Sequence, residues 1–255
     1  MASIITITAI RTTITTMITI ITITATIITT MTEAEALYRL TAWTSPAFPT
    51  GAFSYSHGLE WAVETGRVTS EADLEAWIAL GLAHGVGQVD GALLAAGYRA
   101  ASHEARLSEL IDLACAWRAT SEMALEAAQT GVAFLTTLRA AWPSPSLDRF
   151  AALCGERQPG LALAFGFAAA EIAPLSLALR FQLASWTAHQ ISAGVRLIPL
   201  GQTAGQRLTA RLEPAVLRAA EAAEQADLDE VAGSAWMVDI ASMRHETQIT
   251  RLFRS

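Results

Sequence analysis

Two short stretches bring together side chains that could do chemistry. In "YSHGLEW", His57 and Glu60 stand three apart, which puts both on one face if they share a helix. An imidazole and a carboxylate so placed can act as base and orienter, or as two ligands of a metal ion. His245 and Glu246 repeat the same two types near the other end of the chain. At both places the plainer reading is stronger: a histidine near a helix start, with a glutamate nearby, usually caps or solvates that helix. His84, His103 and His189 are isolated in sequence. Cys115 and Cys154 lie far apart with no C-x-x-C or Cys/His spacing, so a disulfide framework or a zinc site has no support. They read as two ordinary buried thiols in a reducing compartment. There is no G-x-S-x-G, P-loop, G-x-G-x-x-G or H-E-x-x-H. The sequence contains no recognisable catalytic constellation, although a fold can gather distant residues.

The elements that must position these residues are helical. The chain has 255 residues, 52% of them hydrophobic and 16% charged, which is ample for a core. Its formal charge of -7 argues against nucleic acid as a main partner. Every basic side chain other than histidine is arginine. Ser70 followed by Glu71 and Asp73 reads as an N-cap with acids in the first turn. Leu74, Trp77, Ile78 and Gly81 then mark one amphipathic face. Asp90 is placed to cap a further helix, and Leu125, Ala128, Val132 and Leu135 mark the apolar face of another. "AWPSPS" is a break, and Pro159 suits the first turn of a helix running from Leu161 to Glu171. Residues 175–197 are apolar nearly all round and read as a central buried helix, too often broken by Arg180, His189 and Arg196 to span a membrane. A long helix to about Gln225 and a last one over residues 229–243 follow. The expected fold is a single all-α domain of about ten helices over residues 31–243, with residues 244–255 as a tail.

Residues 1–30 do not match this body. They are nearly all Thr and Ile, with Arg11 the only charge. The stretch from Thr12 to Thr32 is long enough to span a membrane, but β-branching lowers its helix propensity, and the Ile/Thr alternation is nearer a strand pattern. The abrupt change at Met31 leads us to expect that Met31 is the natural start and that the extension comes from a misplaced upstream start codon.

Other features favour binding. In "SPAFPTGAFSYSHGLE" two prolines restrict a loop, Gly51 permits a sharp turn, and Phe48, Phe53 and Tyr55 supply aromatic surface. The closing "RLFRS" sets Leu252 and Phe253 between two arginines, residue types common at binding hot spots or their neighbours.

The stretches "LTAWTSPAFPTGAFSYSHGLEWAVETG", "AGVRLIPLGQ" and "HETQITRLFRS" together resemble the UreF family of urease accessory proteins. The resemblance covers roughly Leu37 to Ser255, and the Thr/Ile segment has no place in the family pattern. It implies an all-helical, homodimeric, cytoplasmic protein that is not itself an enzyme. Such a protein binds UreD (also called UreH), the GTPase UreG and apo-urease, and assists nickel insertion. Nickel and GTP are handled by the complex, and no cofactor is bound directly. Carried over residue by residue, the partner-binding positions are Pro46, Pro49, Gly51, Phe53, Tyr55 and Glu60 in the first motif. Arg196, Gly201 and Gln202 follow in the second, Arg196 standing where lysine is often found. The tail contributes His245, Glu246, Gln248, Arg251, Leu252, Phe253 and Arg254, and is expected to order on contact with UreD. Glu60 is expected on a surface offered to UreG. The alternative is an α-helical enzyme with a pocket around His57 and Glu60.

Overall fold

In the computed structural model, residues 31–254 are described. The expected start at Met31 concerns residues 1–30, which lie outside them. Eleven α-helices and one short 3-10 turn follow one another, and no strand occurs among the described residues. They are α1 (Glu33–Trp43), the 3-10 turn Ala52–Ser54, α2 (Leu59–Glu64), α3 (Glu71–His84), α4 (Val86–Arg99) and α5 (Glu104–Ala116). Then come α6 (Ser121–Ala141), α7 (Pro145–Cys154), α8 (Leu161–Ala169), α9 (Leu175–Leu197), α10 (Gln202–Gln225) and α11 (Trp236–His245). Leu37–Ser255 forms one compact unit.

Local chemistry explains several boundaries. Ser70 and Asp73 form a full capping box at the start of α3: the Ser70 hydroxyl accepts from the Asp73 amide, and the Asp73 carboxylate accepts from the Ser70 amide. Ser144 caps α7 ahead of Pro145 in its first turn. The all-round apolar run becomes α9 over residues 175–197, as its composition requires. It packs along α10, while α4 lies against both α8 and α10. The α4–α8 crossing is very close: a Cβ on Gly166 would sit 2.1 Å from the Leu94 carbonyl oxygen. Trp43, Phe48, Phe134, Trp142 and Phe165 form an aromatic cluster with ring centroids 5.4–6.3 Å apart.

Three sequence expectations are corrected here. Asp90 caps nothing; it lies inside α4, where it pairs with Arg118. The face expected for α6 is rotated. Leu125 is 52% and Val132 39% exposed, while Leu135 is buried as expected together with Thr130, Gly131, Phe134 and Leu138; the small Gly131 lets α6 approach its neighbours closely. Cys154 is buried but Cys115 is exposed, since α5 turns it outward. One stretch, Glu71–Arg99, is long and apolar enough to cross a membrane by length and composition. It is divided at Gly85 into α3 and α4, and half of its most apolar window is buried.

Candidate functional site

The two end motifs meet. The chain enters α2 through two successive left-handed residues, His57 (φ 52°) and Gly58 (φ 74°). Gly58 is required twice over: by its conformation, and because a Cβ there would stand 2.5 Å from the Ser242 nitrogen. This close approach seats α2 on α11. The inward stripe of α11 is Val238, Ala241, Ser242 and His245, at i, i+3, i+4 and i+7.

His245 is fully buried, and each ring nitrogen faces a glutamate. Nε2 lies 3.1 Å from Glu60 Oε2, and Nδ1 lies 2.8 Å from Glu122 Oε2. Each ring nitrogen is thus within hydrogen-bond distance of a carboxylate oxygen. Glu60 also accepts two backbone amides from the C-terminal segment, Leu252 N–H to Oε1 at 2.6 Å and Phe253 N–H to Oε2 at 2.9 Å. Arg251 Nη1 donates to Glu122 Oε1 at 3.0 Å. Two buried carboxylates thus face one buried imidazole and one guanidinium that reaches in from the surface.

Around this centre the segment is fastened along its length. The Ser121 hydroxyl donates to Glu246, and the Thr120 and Ser242 hydroxyls pair at 2.7 Å. The Arg254 amide donates to the Ser54 carbonyl at 2.8 Å. Gln129 Oε1 accepts from both Tyr55 (2.6 Å) and Arg254 (3.2 Å). Burial pushes the Tyr55 phenol up, opposed by the hydrogen bond to Arg254. Arg196 donates to the Phe53 carbonyl at 2.8 Å, and its guanidinium covers the buried Phe253 ring with 4.3 Å to the centroid.

With this geometry in place, comparison with known proteins is informative. The family model described as UreF matches residues 68–213. A protein of Rhodopseudomonas palustris (strain HaA2) named urease accessory protein UreF is 46% identical over 230 residues, 88% of this chain and 95% of its own. One of the same name from Granulibacter bethesdensis is 47% identical over 89% of this chain and 97% of its own. A third, from Bradyrhizobium sp. (strain ORS 278), is 44% identical over 88% and 93%. The chain belongs to the UreF family.

The UreF-family residues singled out from sequence fall into three places. Glu60, Tyr55, His245 and Phe253 are buried within the chain. This corrects the expectation that Glu60 stands on an offered surface: its side chain is consumed by His245 and the two segment amides. Pro46, Pro49, Phe53, Glu246, Arg251, Leu252 and Arg254 are exposed, Phe53 at 62% and Leu252 at 65%. Gly51, in a left-handed conformation, caps the 3-10 turn, and Gln248 donates to the Thr250 carbonyl. Gly201 and Gln202 open α10, and no hydrogen bond of the clasp reaches them among the described residues. The division expected at residue 244 falls inside α11.

His57 and Glu60 do not act together. His57 Nε2 lies 2.8 Å from Glu126 and its ring meets Trp186 edge-on, whereas Glu60 serves His245. Sequence reasoning missed Glu122, Gln129 and Ser242. No local signal marks Glu122, but the stripe on α11 ends on His245, and a histidine at the i+7 place of a buried stripe calls for a partner.

Proposed function

We propose that this chain is a non-enzymatic scaffold and regulator in urease maturation, joining UreD and the GTPase UreG on apo-urease while nickel is inserted. It would act as a homodimer in the cytoplasm. The relatives carry the name of urease accessory proteins, and this supports an assisting rather than a catalytic role. The observation that carries the binding reading is the apolar rim around the clasped segment. Phe53, Leu252 and Ile249 are exposed at 62%, 65% and 100%. On the outer side of α11, Trp236, Ile240 and Met243 add an exposed stripe at i, i+4 and i+7. Exposed large apolar side chains grouped in this way along the chain, with Arg244, Arg251 and Arg254 near them in sequence, suit protein docking. The separation of His57 from Glu60 removes the geometry on which the enzyme reading stood.

Co-purification of the full chain with UreD and UreG from the same organism tests the proposal. The full chain should retain both, and Phe53→Ser with Leu252→Ser should release UreD at an unchanged melting temperature. A folded chain that retains neither partner overturns it. Deleting residues 244–255 is a poor substitute, because it removes His245 and strands two buried carboxylates.

A further inference from the structure

Beside the aromatic cluster lies a chamber of about 310 Å³, open to solvent past Ala116, Ala119 and Gly233 and walled by parts of α1, α3–α6, α8, α9 and α11. It gathers an unusual set of polar atoms. Trp43 Nε1, His57 Nδ1, Arg118 Nε and Nη2, Gln182 Oε1 and Gln190 Oε1 are buried without a hydrogen-bond partner among the described residues, and all five residues line this one chamber. Buried polar groups are almost always paired, so six such atoms around one space call for an occupant.

The donor and acceptor set restricts what that occupant is. Arg118 uses Nη1 for Asp90 and leaves Nε and Nη2, the two atoms of one edge of the planar guanidinium, uncommitted. That edge presents two parallel N–H donors to an oxygen acceptor. Its side chain is only 10% exposed. Nη2 also lies close to the Gly160 backbone, where a Cβ would come 2.9 Å from it. Trp43 Nε1 adds a third donor, since an indole nitrogen only donates. The acceptors are the amide oxygens of Gln182 and Gln190 on α9, eight residues and about 12 Å apart along its axis.

Two pairs of opposite charge line the chamber, and Asp239 and His189 line it besides. Arg118 is paired with Asp90, and His57 with Glu126. Burial alone would push the His57 imidazole down, but the Glu126 carboxylate more than offsets it and the net shift is upward. Burial pushes His189 down and the Asp239 carboxyl up, each towards its neutral form. An anion would meet no spare positive charge, and a cation no spare carboxylate cluster; no group of three metal-ligating side chains occurs among the described residues.

We infer that the chamber binds a small neutral molecule of the amide or ureido class, whose carbonyl oxygen accepts from the free edge of Arg118 and whose N–H groups donate to Gln182 or Gln190. Uncharged, planar and both donor and acceptor, such a group answers the unpaired atoms on both walls. The chamber is distinct from the clasp and does not depend on the partners proposed above. It gives an accessory protein a means of registering a metabolite through its own core.

The test uses the indole N–H resonances of the full chain in a ¹H–¹⁵N spectrum, with Trp43 assigned by Trp43→Phe. Urea and acetamide are titrated as probes, with sodium acetate as the charged isostere of acetamide. The Trp43 resonance should shift saturably with acetamide and urea, half-saturating between about 0.1 and 10 mM for so small a ligand, and the two should compete. Acetate should not compete. Gly160→Ala, which crowds the guanidinium edge, should weaken binding at least tenfold. Gln190→Leu, which removes an acceptor, gives the same reading if that variant does not fold. Linear, unsaturable drift of all indole signals would mean that the chamber holds water alone and would overturn the inference. Tighter binding of acetate than of acetamide would overturn it too, in favour of an anion site.

Discussion

Replacing His245 by alanine tests the clasp directly. The imidazole is fully buried and is the hydrogen-bond partner that Glu60 and Glu122 share. Without it, two carboxylates with side chains 8% and 10% exposed keep only Arg251 and the two segment amides. Removing one partner of a buried ionic cluster costs about 3–5 kcal/mol, because the remaining charge stays desolvated. For a domain of this size each kcal/mol lowers Tm by roughly 2–4 °C, so His245→Ala should melt about 6–20 °C below the parent. The carboxylates should also repel one another and loosen the segment between Glu246 and Arg254. The chain has no lysine, so trypsin cuts only after arginine, and Arg251 lies in the segment. Brief digestion followed by intact mass should show cleavage after Arg251 in the variant well before the parent. A melting temperature within 2 °C of the parent, with an unchanged digestion pattern, would refute the reading that His245 holds the two carboxylates.

Other outcomes follow from the same geometry. Gly58→Ala must adopt a left-handed conformation and meet the Ser242 nitrogen, so it should lose about 2–5 kcal/mol in denaturant unfolding; a loss under 1 kcal/mol would mean that α2 and α11 part easily. The His57 imidazole should titrate by NMR above its ordinary 6.5. Because its folded value is raised, its contribution to stability is full below the unfolded value and fades as pH rises through the folded one, and His57→Gln should flatten that decline. His189, held low by burial, works in the opposite sense, costing stability as pH falls below 6.5. A thiol reagent at pH 8 should label Cys115 and spare Cys154, whose thiol burial pushes up to about 11, until the chain is denatured; two thiols labelled in the native state would contradict that burial.

The helical plan was legible because its signals are local. The α3 capping box, the serine and proline opening α7 and the apolar run of α9 each act over a few residues. The burial face of α6 was hidden because Thr130 and Gly131 carry it, and hydropathy periodicity is blind to small residues chosen for close approach. His57 and Glu60 misled for a different reason. Helical spacing means nothing until the helix begins, and the left-handed pair at His57 and Gly58 starts it at Leu59, two residues past His57. Both end motifs could be read, but not that they embrace, because Glu60 and His245 are 185 residues apart and nothing in either stretch names the other.

That separation sets a timetable for folding. Glu60 leaves the ribosome long before His245 and the amides of residues 252 and 253, its partners 185, 192 and 193 positions later. Until they arrive, α2 cannot bury its carboxylate without a large desolvation cost, so the nascent body must keep that corner open to water. Closure comes only when the segment is delivered, and two of its bonds are read from main-chain N–H groups that any residue but proline would supply. The glutamate therefore finds its partners only when the chain has been made through to that point, and a prematurely stopped copy leaves this carboxylate without its two main-chain amides.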